Sequence, residues 1–305
     1  MFYTLTANPA IDMNISSNGL IRKEVNRTRD AVYTPNGKGV NVSLVLHHFG
    51  IPSTVLGFFG GFSGEYIVTE CKKRGLGAKP VMIDEITRVN VFLNDGEGEF
   101  KLVNEGPVIT PEQEAEFLTL LESLDDMEYL CISGSLPRGI SSEFYDNVFK
   151  CCARKGTKVV LDISSPKFKD LLAYRPLLIK PNDEEIRDIF GILLKTEDDI
   201  KSAIKMLHEL GAQNVLLTLG NKGGYFSNGE KVWYCGTYPV KFLSSVCCGD
   251  ACLATFLSFW ANDRSNVVEA LKKSAAAGSN VAESAGLGDL AMVDEYAKHI
   301  EVREV

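Results

Sequence analysis

The sequence predicts an α/β fold: a mostly parallel central sheet with helices on both faces and a small β-sheet lid inserted into it. Three observations carry this. From Thr110 onward, amphipathic helical segments alternate with short apolar strand-like runs, the pattern of βαβ units. Polar and glycine residues gather at the carboxyl ends of those runs, where open parallel sheets hold their ligands. Two alternating runs about N-D-G-E-G at 94–98 read as a hairpin outside that repeat.

Bulk properties narrow the function classes. At 305 residues the chain is long enough to bury its own core without disulfide or metal staples. Its net charge of −8 argues against a general nucleic-acid or membrane-surface role, since both need a basic face. No stretch approaches the roughly 20 apolar residues of a membrane span, and M-F-Y-T-L-T-A-N-P has neither the basic nor the apolar region of a signal peptide. The eight cysteines form no C-x-x-C pair and the four histidines complete no ligand set, so zinc is not expected. Reduced thiols and a cytoplasmic location are the expectation.

Taken in order, F-Y-T-L-T at 2–6 is the first strand, followed by N-P-A-I-D. Asp12, just past its carboxyl end, is a candidate for sugar hydroxyls or the closing residue of an Asx-type turn. Residues 13–33 alternate loosely and carry Arg22, Lys23, Arg27 and Arg29. Then T-P-N-G-K-G-V-N-V-S opens a helix that ends near Gly50. Gly37 and Gly39 allow close backbone approach to a ligand, Lys38 adds a cation and Asn41 a donor and acceptor. This is a polyol or phosphate cradle, or a glycine turn with a solvated lysine. It is not a Walker A loop, because Val32 stands where that motif needs its first glycine.

S-T-V-L-G-F-F-G-G-F-S-G-E repeats the strand, glycine, helix order without the spacing of a dinucleotide fingerprint. The hairpin at 87–103 puts Arg88 and Asn90 on one face, and with 13–35 it forms the expected lid at about 13–35 and 87–106 of a single domain spanning 1–305. Past Thr110, strand ends carry Ser133, Ser135, Asp162, Lys180, Asn182, Thr218 and Gly220. Asn182 and Glu185 lie on the first turn of a helix and can face one hydrated metal ion, or simply mark an acid-rich helix start.

Near the end, S-S-V-C-C-G-D-A-C-L-A-T-F-L-S-F-W joins a small-residue segment to an apolar run in which Leu253, Phe256, Leu257 and Trp260 recur at helical spacing. Asp250 opens that helix, either as its N-cap or as a base beside an anion held by the free N–H groups. Phosphoryl transfer needs this set: backbone donors and cations for phosphate charge, a metal, and a carboxylate for the acceptor proton.

The segments T-A-N-P-A-I-D, N-G-K-G-V-N-V-S, G-F-F-G-G-F-S-G-E, T-R-V-N-V, C-I-S-G-S-L-P-R-G, I-K-P-N-D-E-E and C-G-D-A occur in order along nearly the whole chain. With them the chain resembles the PfkB (ribokinase-like) sugar kinases, in the branch of 1-phosphofructokinase and tagatose-6-phosphate kinase. The resemblance implies a ribokinase-like three-layer α/β/α fold with a β-lid, ATP and Mg2+ as cofactors, and a sugar phosphate as acceptor. It casts Asp250 as catalytic base and Cys247, Cys248 and Gly249 as the anion hole. Asp12, Gly37, Gly39 and Asn41 become sugar-binding positions, and Arg27, Lys38, Arg88 and Ser135 the clamp on the substrate's phosphate. Lys180, Asn182, Thr218, Gly220 and Gly223 fall on the nucleotide side, with Glu185 reaching magnesium through water.

Two motifs depart from the family pattern. Cys247-Cys248 replaces the first two residues of G-A-G-D, and Asn36 the first glycine of G-G-K-G. Function is expected to survive the first change if Cys247 need not adopt positive φ, and to suffer if it must. The leading reading is an ATP-dependent ketohexose-phosphate kinase making fructose 1,6-bisphosphate from fructose 1-phosphate. Tagatose 6-phosphate is an alternative acceptor. A sugar-phosphate binding or regulatory protein is the alternative of another class, and a nicotinamide-dependent oxidoreductase rests only on α/β alternation. A homodimer through the lid is expected, because a small sheet leaves an apolar face and edges to cover.

Overall fold

The computed structural model describes residues 1–284 and 286–305. Its first half runs β1 (Phe2–Thr6), β2 (Ala10–Ser16), β3 (Arg29–Asn36), α1 (Lys38–His48), β4 (Ser53–Gly60), α2 (Gly61–Lys73), β5 (Gly77–Ile83), β6 (Arg88–Asn94), β7 (Glu99–Leu102), α3 (Pro111–Glu122) and β8 (Tyr129–Ser133). There follow α4 (Phe144–Lys155), β9 (Lys158–Asp162), α5 (Phe168–Leu171), β10 (Leu178–Ile179), α6 (Asp183–Phe190), α7 (Glu197–Glu209) and β11 (Val215–Thr218). The last part comprises β12 (Gly224–Ser227), β13 (Val232–Cys235), α8 (Cys248–Trp260), α9 (Val267–Ala282), α10 (Val293–Ala297) and β14 (Val302–Glu304).

The larger sheet has ten strands in the order β14-β13-β12-β11-β10-β9-β8-β1-β4-β5. From β11 to β5 neighbours are parallel, and β12, β13 and β14 turn antiparallel at one edge. The chain leaves β1 toward β4 and β5, then returns to β8 on the other flank and continues to β11. The strand order therefore reverses between β1 and β8, and a reversal of this kind opens a crevice at the carboxyl ends of the two strands.

Central strands are buried on both faces, which is why they read as continuous apolar runs. Tyr3, Leu5, Leu130, Ile132 and Leu161 pack with Phe117, Phe144 and Val148 on one side. Phe2, Tyr129, Cys131 and Val160 pack with Val42, Phe256 and Trp260 on the other. The helical spacing read in the sequence gives α8 its buried Leu253, Phe256, Leu257 and Trp260. Among the described residues, no helix is long and apolar enough to cross a membrane.

A second sheet has four strands, β3-β2-β6-β7. Its two halves enter between β1 and α1 and between β5 and α3. It starts earlier than expected, at Ala10, so Asp12 lies inside a strand and not in a turn after β1. The alternation of A-I-D-M-N-I explains this: Ile11 packs with Val40 and Phe59 while Ala10 and Asp12 face the other way. Strands β2 and β6 pair parallel, setting Ala10 opposite Arg88 and Asp12 opposite Asn90.

Candidate active site

The cleft at the strand-order reversal is about 310 Å³. Its floor is the end of β1 and β8, with Thr6, Asn8, Ser133, Gly134 and Ser135. The second sheet roofs it with Asp12, Arg88 and Asn90, and the loop into α1 closes one side with Asn36, Gly37 and Lys38. Sequence segments far apart thus meet as the reversal requires.

Asp12 is buried, and burial pushes its carboxyl up, against hydrogen bonds from Asn90 and Asn36 and the charge of Arg88. Asn90 Nδ2 donates to Asp12 Oδ1 at 2.8 Å, and Asn36 Nδ2 donates to Oδ2. The Arg88 guanidinium donates to the carbonyls of Asn8 (3.1 Å) and Asn104 (3.3 Å). Its Nε is buried without a partner among the described residues, as is Asn8 Oδ1. Burial lowers the Arg88 pKa while Asp12 opposes that.

Gly37 and Gly39 have a packing reason of their own, and Gly37 also lines the cleft. Gly37 has φ 133°, and a Cβ there would overlap Thr6. A Cβ on Gly39 would meet Thr6 Oγ1 and the carbonyl of Leu5 at 2.9 Å. These close approaches are between α1 and β1. It presses the start of α1 against the sheet rim, and Lys38 and Asn41 ride on it.

Below the cleft, Asp162 ends β9 fully buried, with Lys180 Nζ at 3.2 Å and Lys38 Nζ at 3.3 Å from the same Oδ1. Burial alone would raise Asp162; the two ammonium groups overcome it and hold the carboxyl below its ordinary range. Burial would likewise lower Lys38, but Asp162, Asp250 and Glu185 hold it above its usual value. Lys180 is only 4% exposed and does not line the cleft; its Nζ lies 3.3 Å from where a Cβ on Gly249 would stand. It therefore sits under the first turn of α8. The sequence marked Asp162 only as a strand-end residue on the rim, closing the apolar run K-V-V-L-D, and gave it no role in the site.

The N-cap of α8 is Cys247, so Asp250 is the third residue of the helix and not its cap. Cys247 has φ 66° and ψ −6°, the left-handed region that the intact function was expected to avoid. The Cys248 N–H donates to the Ser245 carbonyl at 3.4 Å, while helix geometry leaves the next N–H groups, on Gly249 and Asp250, for an anion. Asn41 Nδ2 donates to Asp250 Oδ2 at 2.8 Å. Burial and Asp162 push Asp250 up, Lys38, Asn41 and Lys180 pull it down, and it settles at about 6. Burial drives the Cys247 thiol well up and Cys248 to about 12, so neither is a nucleophile at neutral pH.

Other expected residues lie elsewhere. Arg27 is exposed in the loop between β2 and β3 and does not line the cleft. Thr218, Gly220 and Gly223 stand on the same rim at the end of β11, three strands along from β8. A Cβ on Gly223 would strike the Cys235 carbonyl, which gives that glycine a packing reason. Asn182 and Glu185 face each other in a capping box: Glu185 N donates to Asn182 Oδ1 at 2.7 Å and Asn182 N to Glu185 Oε2 at 3.0 Å. Glu185 Oε1 also accepts from Ser164. No group of three or more His, Cys, Asp or Glu among the described residues is placed to grip a metal directly. Glu185 and Asp162, whose Oδ2 has no partner among the described residues, fit a hydrated magnesium, which needs only one or two carboxylates. Asn90 and Asn36 join the cleft although neither was expected there. Asn90 was legible from its place two residues after Arg88 on one hairpin face.

A doubly wound sheet with a roofed crevice at the strand-order reversal, a buried lysine and two half-buried cations beside it, and a carboxylate at a helix start is the architecture of a small-molecule phosphotransferase. The profile of pfkB family carbohydrate kinases matches residues 6–293, and the chain belongs to that family. It is 46% identical to a D-tagatose-1-phosphate kinase of Klebsiella oxytoca and 30% identical to the 1-phosphofructokinase of Bacillus subtilis, each over 99% of both chains. Its fold matches that of the Escherichia coli phosphofructokinase-2 in complex with fructose-6-phosphate, with a TM-score of 0.87 at 23% identity over 97% of this chain and 99% of that one. The chain is a sugar phosphate kinase, a phosphotransferase with an alcohol acceptor, and its family implies ATP as donor.

Proposed function

We propose that this kinase transfers the γ-phosphoryl group of ATP to the C6 hydroxyl of a ketohexose 1-phosphate, giving the 1,6-bisphosphate. Fructose 1-phosphate, first in the sequence reading, is joined by tagatose 1-phosphate, because the 46% identical relative is named for it. The observation that carries the reading is Asp250, buried at the first turn of α8, oriented by Asn41 and within the field of Lys38 and Lys180.

The chemistry follows from those groups. Asp250 takes the proton of the acceptor hydroxyl as its oxygen attacks the γ-phosphorus and ADP leaves. The Gly249 and Asp250 N–H groups, with Lys180 behind them, meet the charge of the transferring group. Arg88, Lys38 and Ser135 clamp the phosphate already on the sugar, while Asp12 and Asn41 hold its hydroxyls. Lys180, Asn182, Thr218, Gly220 and Gly223 remain the proposed nucleotide side. Magnesium, held through water by Glu185 and Asp162, would neutralise ATP oxygens. The small sheet serves as a lid that excludes water.

A coupled assay for ATP consumption with tagatose 1-phosphate, fructose 1-phosphate, tagatose 6-phosphate and fructose 6-phosphate tests this directly. Asp250→Asn is expected to keep sugar-phosphate affinity within a few-fold and lose at least about 100-fold in kcat. Wild-type turnover in that variant would sink the assignment. The left-handed Cys247 favours a second reading, a sugar-phosphate binding protein, which saturable binding without ATP consumption on any of the four would support. A cytoplasmic homodimer joined through the lid completes the proposal, supported by the unpaired cysteines and by exposed Val32, Tyr33, Phe100 and Leu102 on the small sheet.

A further inference from the structure

Both departures from the family pattern converge on one atom. Asn36, which departs from the G-G-K-G pattern of the family, ends β3 at the cleft wall. Its Oδ1 accepts from the Gly37 N–H and from Asn41 Nδ2, the latter at 3.0 Å, while its Nδ2 donates to Asp12 Oδ2. Asn41 Nδ2 also donates to Asp250 Oδ2 at 2.8 Å and reaches Cys247 Sγ at 3.3 Å. An amide nitrogen carries two hydrogens. With one committed to the Asp250 carboxylate, the other is divided between Asn36 Oδ1 and a thiol, and sulfur is the weaker acceptor. Without Asn36, the Asn41 amide is free to turn toward sulfur or the cleft.

Asn36 thus has one end on a carboxylate of the second sheet and the other on the amide that orients Asp250. We propose that Asn36 is a positioning residue that ties the sugar-binding carboxylate Asp12 to the Asn41–Asp250 pair, so that acceptor and base are aligned by the same side chain. This rests on the kinase reading of the site. It gives the Asn36 departure a purpose, since a glycine there leaves Asp12 with Asn90 as its remaining side-chain donor among the described residues.

The test is a double-mutant cycle with Asn36→Gly, Asp12→Asn and the pair, followed by calorimetric titration with tagatose 1-phosphate and fructose 1-phosphate and by steady-state kinetics. Asn36→Gly is expected to weaken sugar-phosphate binding and lower kcat about 10-fold each, the scale of one hydrogen bond to a charged group. The KM for ATP should move less than about 2-fold, because Asn36 lies on the second sheet and lines a cleft that Thr218, Gly220 and Gly223 do not. If Asn36 acts through Asp12, the pair binds sugar phosphate no more weakly than Asp12→Asn alone. Asn36→Asp keeps the acceptor for Asn41 but sets two carboxylates face to face, so affinity should fall while kcat recovers most of what glycine loses. Unchanged kinetics in Asn36→Gly, or additive losses in the pair, would overturn the proposal. A non-additive binding cycle without any turnover by the wild type would sink the kinase reading and leave the positioning role standing.

Discussion

Asp250 lives with a conflict between stability and function. Its folded-state pKa of about 6 stands above the ordinary 3.8, so protonation favours the folded chain and the charged form strains it. The cost is fully present above about pH 6 and is relieved as pH falls toward 4. Asp250→Asn should therefore raise the melting temperature at pH 8, by up to about 3 kcal/mol of stability, and change it little at pH 4. Catalysis has the opposite sign, since only the carboxylate is a base. kcat/KM should fall as pH drops through about 6. The substrate's phosphate also titrates near pH 6, and Lys38→Met separates the two: losing that cation moves an Asp250 limb to higher pH and leaves a substrate limb in place. Cys247 is the other residue under strain. A β-branched side chain tolerates φ 66° worse than cysteine does. Cys247→Val should cost about 1–2 kcal/mol in denaturant unfolding and reduce turnover, whereas Cys247→Gly should keep it.

At the scale of elements, α1 is the piece whose placement matters most, because it delivers Lys38 and Asn41 to separate parts of the site. Its first turn has no room for one more carbon against Thr6 and Leu5. Gly39→Ala should displace the helix start, cost about 2 kcal/mol or more in unfolding free energy, and depress activity even when the protein is folded. Much at this scale was readable beforehand. Alternating patterns gave α3, α4, α7 and their intervening strands, since propensity, caps and core burial all agree there. Asp12 was misplaced because the bend at Asn8–Pro9 resembles the end of a strand and also the start of another. The Asn182–Glu185 spacing suits a metal motif and a capping box equally, and local sequence contains no information that separates a carboxylate facing an ion from one facing an amide.

For the whole molecule, the position of the crevice was less legible than its chemistry. Glycines and polar residues at strand ends announced a rim, but the reversal between β1 and β8 depends on strand order, which emerges only when long-range pairing is complete. That is why Asp162 and Lys180 looked independent in sequence and are one ion cluster in space. The exposed face of the second sheet belongs to this scale too. If a second copy covers it, sedimentation should give twice 33.5 kDa, and Tyr33→Asp should halve it; a wild-type monomer at micromolar concentration removes the dimer from the proposal.

The central place of β1 also shapes how the chain is made. On the ribosome, Phe2–Thr6 emerges long before Ser53–Gly60 and Tyr129–Ser133, the strands that flank it. At the usual pace of synthesis, about 5–20 residues per second, an apolar strand with two open edges waits on the order of ten seconds for its second neighbour. Holdase chaperones should therefore engage the nascent chain most strongly before residue 133 is exposed, and release it once β8 has paired.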